Sequence, residues 1–353
     1  MMRTIEWLPD SNDVRLIDQR KIPGRLEYLH IHNAEEMADA IRNMVIRGAP
    51  ALGVAGAFGV ALEAFACRNI RQADYELQVR TAADLLIASR PTAINLAWGV
   101  KRIMAVLDDR SLDQDTKNQK MILTALEMAE EDVSANLRMA EFGASLIDEG
   151  DTIITHCNTG SLAAVDWGTA LGAIRFAHEQ GKKIKLLIDE TRPRFQGARL
   201  TAWECQQYGI PFEVITDNMA GFFLKRGDAQ KVFFGADRVA ANGDVINKVG
   251  TYMLSLAAYT NHVPVYPVFP LSTLDMATTS GDLVPIEERE PEEVTNITYG
   301  GEQVFPANVA ARNPAFDVTP NDLITALVTD RGICYPPFSH NLPQFIYNTT
   351  SGR

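Results

Sequence analysis

The chain has few cysteines and no pairing among them. Its four, Cys67, Cys157, Cys205 and Cys334, are widely spaced with no CxxC pair, which argues against disulfides and for reduced thiols in a cytoplasm; no signal peptide is expected at Met1. Positive charge is in deficit: 33 Lys and Arg against 45 Asp and Glu leave a net charge of −12. That balance speaks against a general nucleic-acid or anionic-membrane surface, though a local basic pocket for a phosphate is still open to such a chain. No apolar run reaches bilayer length, since Gly48 to Leu62 is the longest and Glu63 closes it. There is no internal repeat and no low-complexity segment. Metal ligands are missing too: His30 and His32 make one HxH pair, but no third ligand follows and no HxxxH exists. Neither a metal nor a cofactor is expected.

What is present is a globular composition over 353 residues, 46% hydrophobic and 22% charged, enough for two domains. The polar run Asp108 to Lys120 is the clearest boundary signal and divides the chain at 1–118 and 119–353. Before it, Met1 to Leu29 reads as short strands around Pro23-Gly24. Helices follow: one capped by Asn33 with Met37, Ile41 and Met44 on one face, then Leu77 to Ala88 and Asn95 to Val106. Met121 to Ile147 has the period of a long helix entering the second domain.

From Thr152 the rhythm is strand, helix, strand. Strands are expected from Thr152, over Lys183 to Asp189, Phe212 to Thr216, Val232 to Gly235 and His262 to Val268, with helices over Phe195 to Tyr208 and Thr251 to Tyr259. Such alternation predicts an α/β domain with a mostly parallel sheet, whose ligands sit at the carboxyl ends of the strands.

Cys157 stands at the first of these ends, ahead of a small-residue stretch with helical spacing, where a helix start would favour a thiolate. A lone cysteine is more often a small buried hydrophobe. Asp237 follows the fourth strand, Gln196 the second, and Asn247-Lys248 a turn at Asn242-Gly243-Asp244. Each has a bland reading as a capping or packing residue, and only their coincidence at successive strand ends singles them out. In the first half, Arg47-Gly48-Ala49-Pro50 opens an apolar helix and suits an anion, the alternative being a tight Gly/Ala helix with a surface Arg. Arg90, before Pro91, is either a second phosphate contact or a solvated loop residue. A dinucleotide fingerprint is a rival, with Asn158, Gly160 and Ala163 on its glycine positions and Asp189 ending the next strand. It matches poorly, because Asn158 replaces the glycine of the tight turn. The acidic stretch Thr278 to Glu302 reads as solvated surface.

Five stretches carry a resemblance: H-C-N-T-G-S-L-A (156–163), D-E-T-R-P-R-F-Q-G-A-R-L-T-A (189–202), G-A-D-R-V-A-A-N-G-D-V-I-N-K-V-G-T (235–251), I-R-G-A-P-A-L-G (46–53) and N-P-A-F-D-V-T-P (313–320). Together they resemble the methylthioribose-1-phosphate isomerases, which group with the regulatory α, β and δ subunits of translation initiation factor 2B. The resemblance covers nearly the whole chain, and its cysteine and aspartate motifs separate enzymes from regulatory subunits. It implies a small, mainly helical N-terminal domain, a Rossmann-like parallel-sheet C-terminal domain and a homodimer. It implies aldose–ketose isomerisation of 5-methylthioribose 1-phosphate in methionine salvage. Asp237 would be the proton donor and Cys157 its catalytic partner, with substrate contacts at Arg47, Gly48, Ala49, Arg90, Gln196, Asn247 and Lys248. The donor carboxyl is expected to have a raised pKa. Alternatives within the resemblance are an isomerase of 5-deoxyribose 1-phosphate or ribose 1,5-bisphosphate, and a non-catalytic regulatory subunit. Phe195, and the run Pro267-Val268-Phe269 ahead of Pro270-Leu271-Ser272-Thr273, depart from the family pattern and are expected near the 5-substituent of the sugar.

Overall fold

The computed structural model describes residues 3–347, in two compact units: Met1–Ala140 with Thr159–Gly172, and Glu141–Asn158 with Ala173–Arg353. The first opens with strands β1 (Ile5–Leu8), β2 (Asp13–Ile17) and β3 (Tyr28–Ile31) in an antiparallel sheet. Helices α1 (Ala34–Arg42), α2 (Ala49–Ala66), α3 (Gln72–Ser89), α4 (Ile94–Leu107) and α5 (Gln114–Ala144) follow. Asn33 caps α1 as expected, its side chain accepting from the Glu36 N–H at 2.9 Å. Helix α2 is apolar all round, as a helix packed on several sides must be. Against the expectation that no apolar run reaches bilayer length, this helix is long and apolar enough to cross one, because it continues past Glu63 to Ala66, yet most of it is buried. It crosses α4 almost backbone to backbone, for a Cβ on Gly99 would lie 2.0 Å from the Gly53 carbonyl oxygen.

The expected boundary at 118/119 falls inside α5, which runs unbroken for 31 residues. The polar run splits: 108–113 joins α4 to α5 and 114–120 opens α5, with Asp113 accepting from the Thr116 N–H at 2.8 Å. Cap chemistry and linker chemistry draw on the same residue types, so one polar run can mark either.

The second unit is doubly wound. Strands β4 (Thr152–Thr155), β5 (Lys185–Asp189), β6 (Phe212–Ile215), β7 (Lys231–Phe234) and β10 (Val265–Pro267) form a five-stranded sheet in the order β10-β7-β4-β5-β6, every pair parallel. Helices α6 (Ala170–Glu179), α7 (Ala202–Tyr208), α8 (Ala220–Arg226) and α9 (Thr251–Thr260) alternate with them. The chain winds from β4 to β6 on one side, then crosses to β7 on the other, so the topological switch lies between β4 and β7. A second sheet, ordered β11-β8-β9-β14, contains the expected hairpin of β8 (Arg238–Ala240) and β9 (Val245–Lys248), flanked by β11 (Leu274–Asp275) and β14 (Phe316–Thr319). Short elements complete the unit: α10 (Glu292–Thr295), β12 (Thr298–Tyr299), β13 (Glu302–Gln303), β15 (Leu327–Thr329), β16 (Gly332–Cys334) and α11 (Phe338–Tyr347). Its core includes Ile154, Leu187, Val232, Phe234, Val265 and Phe269.

Two expected helices are revised. The stretch after Cys157 gives only a 3₁₀ turn, Ser161–Ala163, and the next α-helix begins at Ala170. Small residues with helical spacing here instead let the chain double back, with Gly160 bridged to Gly168 and the Thr169 N–H on the Thr159 carbonyl at 2.7 Å. The Phe195–Tyr208 helix begins as one π turn, Gly197–Thr201, before α7. Phe195 itself has φ +56° and lies outside the helix.

Candidate active site

The two strand ends that flank the switch lead to a cysteine and an aspartate. Cys157 follows β4 by two residues and Asp237 follows β7 by three, and adjacent strands lie about 4.8 Å apart. Cys157 is buried and Asp237 partly buried. The Asp237 N–H donates to the Ile246 carbonyl at 2.9 Å. Continuing the β8–β9 register by one residue sets Asp237 opposite Asn247. Asn247 donates to Thr251 Oγ1 at 3.0 Å, and the Lys248 ammonium, 4.3 Å above the Phe316 ring, donates to the Ala315 carbonyl at 2.7 Å. Asp317 accepts from the Gly250 and Tyr252 N–H groups at the start of α9, and burial pushes its carboxyl up to about 6. Gln196 precedes the π turn, a feature common at functional sites. Its Oε1 is buried without a hydrogen-bond partner, as an acceptor kept for a ligand hydroxyl would be.

Cys157 does not sit at a helix start, so a dipole argument for its thiolate fails. Its backbone instead has φ +66°, a left-handed conformation costing a non-glycine residue about 1–2 kcal/mol. Two hydroxyls hold it there. The Cys157 N–H donates to Thr191 Oγ1 at 2.8 Å, and the Thr201 hydroxyl donates to the Cys157 carbonyl at 2.7 Å. Thr191 in turn donates to the Asp189 carbonyl at 3.0 Å, and Asn158 donates to Thr201 Oγ1 at 3.2 Å and to Glu204 at 2.6 Å. Leaving either buried backbone group unpaired would cost about 1–3 kcal/mol, comparable to the strain being held.

His156 is wholly buried. Its Nε2 donates to the Val249 carbonyl at 2.9 Å, and its Nδ1 lies 2.9 Å from Asp189 Oδ2. Burial alone would lower its pKa; the hydrogen bond and charge of Asp189, with Asp217 beyond, outweigh that and raise it. His156, Asp189 and Asp217 bring one ring nitrogen and two carboxylate oxygens within 4.8 Å of one another, a spacing compatible with a cation. Both ring nitrogens are already engaged, however, and the Asp217 oxygens accept the N–H groups of Thr191 and Arg192 at 2.7 Å each. The cluster works as a hydrogen-bonded strut between β4, β5 and the turn before α9.

In the first unit Gly48, with φ +99°, is the N-cap of α2, and Ala49 and Pro50 open the helix. A Cβ at Gly48 would lie 2.4 Å from the Ala163 carbonyl oxygen, so nothing larger fits. Arg47 Nε donates to Gln19 Oε1 at 3.1 Å, while Gln19 Nε2 donates to the Leu162 carbonyl at 2.7 Å. Arg90 leaves helical geometry ahead of Pro91 as expected and lies 4.0 Å from the Met44 sulfur, close in sequence to Arg47.

The sequence singled out neither Gln19, His156, Thr191 nor Thr201. His156 adjoins the cysteine and Thr191 follows a strand end, but nothing in a residue type announces a partner in another element. Phe269, expected near the sugar, is fully buried in the core of the second unit. Phe195 is partly exposed, under the Arg192 guanidinium at 4.9 Å. The acidic stretch is not simply solvated, since Glu293 pairs with Arg289 and Arg194. Burial would raise its carboxyl, but these arginines hold it at about 2. The glycine fingerprint fails as well, because no α-helix opens at Gly160.

A doubly wound sheet with a thiol and a carboxyl flanking its switch point defines an α/β protein equipped for chemistry on a small ligand. A family model described as the initiation factor 2 subunit family matches residues 45–336, and the chain belongs to that family. A methylthioribose-1-phosphate isomerase of Thermotoga neapolitana is 47% identical over 98% of both chains. Among solved structures, 5-methylthioribose 1-phosphate isomerase from Pyrococcus horikoshii has a TM-score of 0.91 and 42% identity, covering 99% of this chain and 96% of its own. A protein described as translation initiation factor eIF-2B subunit delta from A. fulgidus has a TM-score of 0.86 and 42% identity, covering 98% and 100%.

Proposed function

We propose that this chain is an aldose–ketose isomerase that converts 5-methylthioribose 1-phosphate to 5-methylthioribulose 1-phosphate, a step of methionine salvage. One observation carries the reading: a cysteine and an aspartate on neighbouring strand ends flank the switch point of the sheet, in a chain whose full-length relatives bear this enzyme's name.

Phosphate on the anomeric oxygen blocks ordinary ring opening, so the bond from C1 to the ring oxygen must break with a proton delivered to that oxygen. Asp237 delivers it. Hydrogen then moves from C2 to C1, either through Cys157 as base or as a hydride to the oxocarbenium, and the C2 hydroxyl gives its proton to the Asp237 carboxylate, leaving the ketone at C2 and restoring the acid. Deuterium at C1 after turnover in D2O would establish the base route, because a hydride shift cannot place it there. Arg47 with the N–H groups of Gly48 and Ala49, assisted by Arg90, binds the phosphate. Gln196, Asn247 and Lys248 bind the sugar. No step calls on a cofactor.

The working assembly in this reading is a homodimer. Supporting it are the exposed apolar side chains of Phe222 on α8 and Met253, Leu256 and Tyr259 on the neighbouring α9. None of the four cysteines forms a disulfide, which suits a reducing, cytoplasmic setting.

The test is turnover of methylthioribose 1-phosphate beside 5-deoxyribose 1-phosphate and ribose 1,5-bisphosphate. Highest kcat/KM on the methylthio sugar is expected. Preference for a sibling sugar would reassign the substrate, and no turnover on any would leave the regulatory-subunit reading that the name of the A. fulgidus relative suggests.

A further inference from the structure

Thr191 presents an anomaly. It is a β-branched residue at φ +64° and fully buried, in a conformation where glycine or asparagine would be less strained. Strain of this kind persists where surrounding contacts over-determine it, and it clusters at functional sites. What threonine supplies there and glycine cannot is the oxygen that receives the Cys157 N–H at 2.8 Å. Thr201 answers it from the other side, donating to the Cys157 carbonyl at 2.7 Å from the last residue of the π turn. Each hydroxyl has one proton, and each is committed: Thr191 gives its proton to the Asp189 carbonyl, Thr201 to Cys157. Neither can rotate to another partner without breaking a bond in the chain.

We infer that Thr191 and Thr201 are positioning residues that clamp the Cys157 peptide in its left-handed conformation and thereby aim the thiol. The inference rests on the reading of Cys157 as catalytic, but the clamp can be measured without it. A packing role for these threonines would need their methyl groups; a clamp needs their hydroxyls.

The experiment compares Thr201→Val, which keeps shape and loses the hydroxyl, with Thr201→Ser, which keeps the hydroxyl. Thr191→Gly relieves strain while deleting the acceptor. With methylthioribose 1-phosphate, Thr201→Val and Thr191→Gly are expected to lose about tenfold or more in kcat, with KM within about twofold. Thr201→Ser is expected to stay within about threefold of the parent. Alkylation of Cys157 by iodoacetamide, followed by mass spectrometry of its peptide, should change in rate in the same two variants and recover in the serine variant. Parental kcat in Thr201→Val, or equal impairment by valine and serine, would overturn the clamp. Should the parent not turn over this sugar, the proposed function fails while the alkylation series still decides the clamp. Should Thr201→Val not fold, Thr191→Gly against Thr191→Ser makes the same comparison.

Discussion

A guanidinium meets a phosphate best as a rigid fork, and Arg47 has the support to be one. Gln19 fixes Nε and is itself fixed to the Leu162 carbonyl, so the plane of the guanidinium is set before any ligand arrives. A lysine keeps the charge and loses the fork. Arg47→Lys should therefore raise KM for the sugar phosphate about tenfold, with little change in kcat, in steady-state assays. An unchanged KM would remove Arg47 from the phosphate site. The same logic makes Gly48 indispensable, since the Ala163 backbone occupies the space of any side chain.

At the scale of elements, α5 carries a half-buried acid that couples stability to pH. Asp132 accepts the Val165 N–H at 2.7 Å and the Asn136 amide at 3.0 Å, and burial pushes its carboxyl up to about 7. A folded-state pKa above the unfolded value means the native state binds more protons between about pH 4 and 7. The stabilisation is complete below that window and is lost as pH rises through it. Asp132→Asn keeps an acceptor for Val165 and has no proton to lose. The variant's melting temperature relative to the parent should climb from pH 5 to pH 8, and a constant difference would contradict the shift. Much at this scale was legible in the sequence. The cap at Asn33, the proline-led start of α2, the strands of the parallel sheet and the Asn242-Gly243-Asp244 hairpin were each announced by local residue chemistry. Local chemistry also misled: the second half of the polar run 108–120 starts a helix, and the Gly160–Ala163 stretch doubles back where a helix was expected. Cys157, Asp237, Gln196 and Asn247-Lys248 could be singled out because ligands in such sheets gather at strand ends. The partners that hold them, Thr191, Thr201, His156 and Asp317, are set by register and crossover, which no window of sequence contains.

For the whole molecule, the apolar side chains left exposed on α8 and α9 predict a consequence of charging that face. Phe222→Glu with Met253→Glu should convert the proposed dimer to a monomer in sedimentation while leaving the far-ultraviolet spectrum intact. A dimer of unchanged strength would move the interface elsewhere. The central claim concerns two side chains that β4 and β7 deliver to one edge of the sheet. Its most direct measurement is kcat for Cys157→Ala and Asp237→Asn on methylthioribose 1-phosphate, each variant first shown to melt like the parent. The account predicts a loss of about 10²-fold or more in both. Near-parental turnover in either would contradict it.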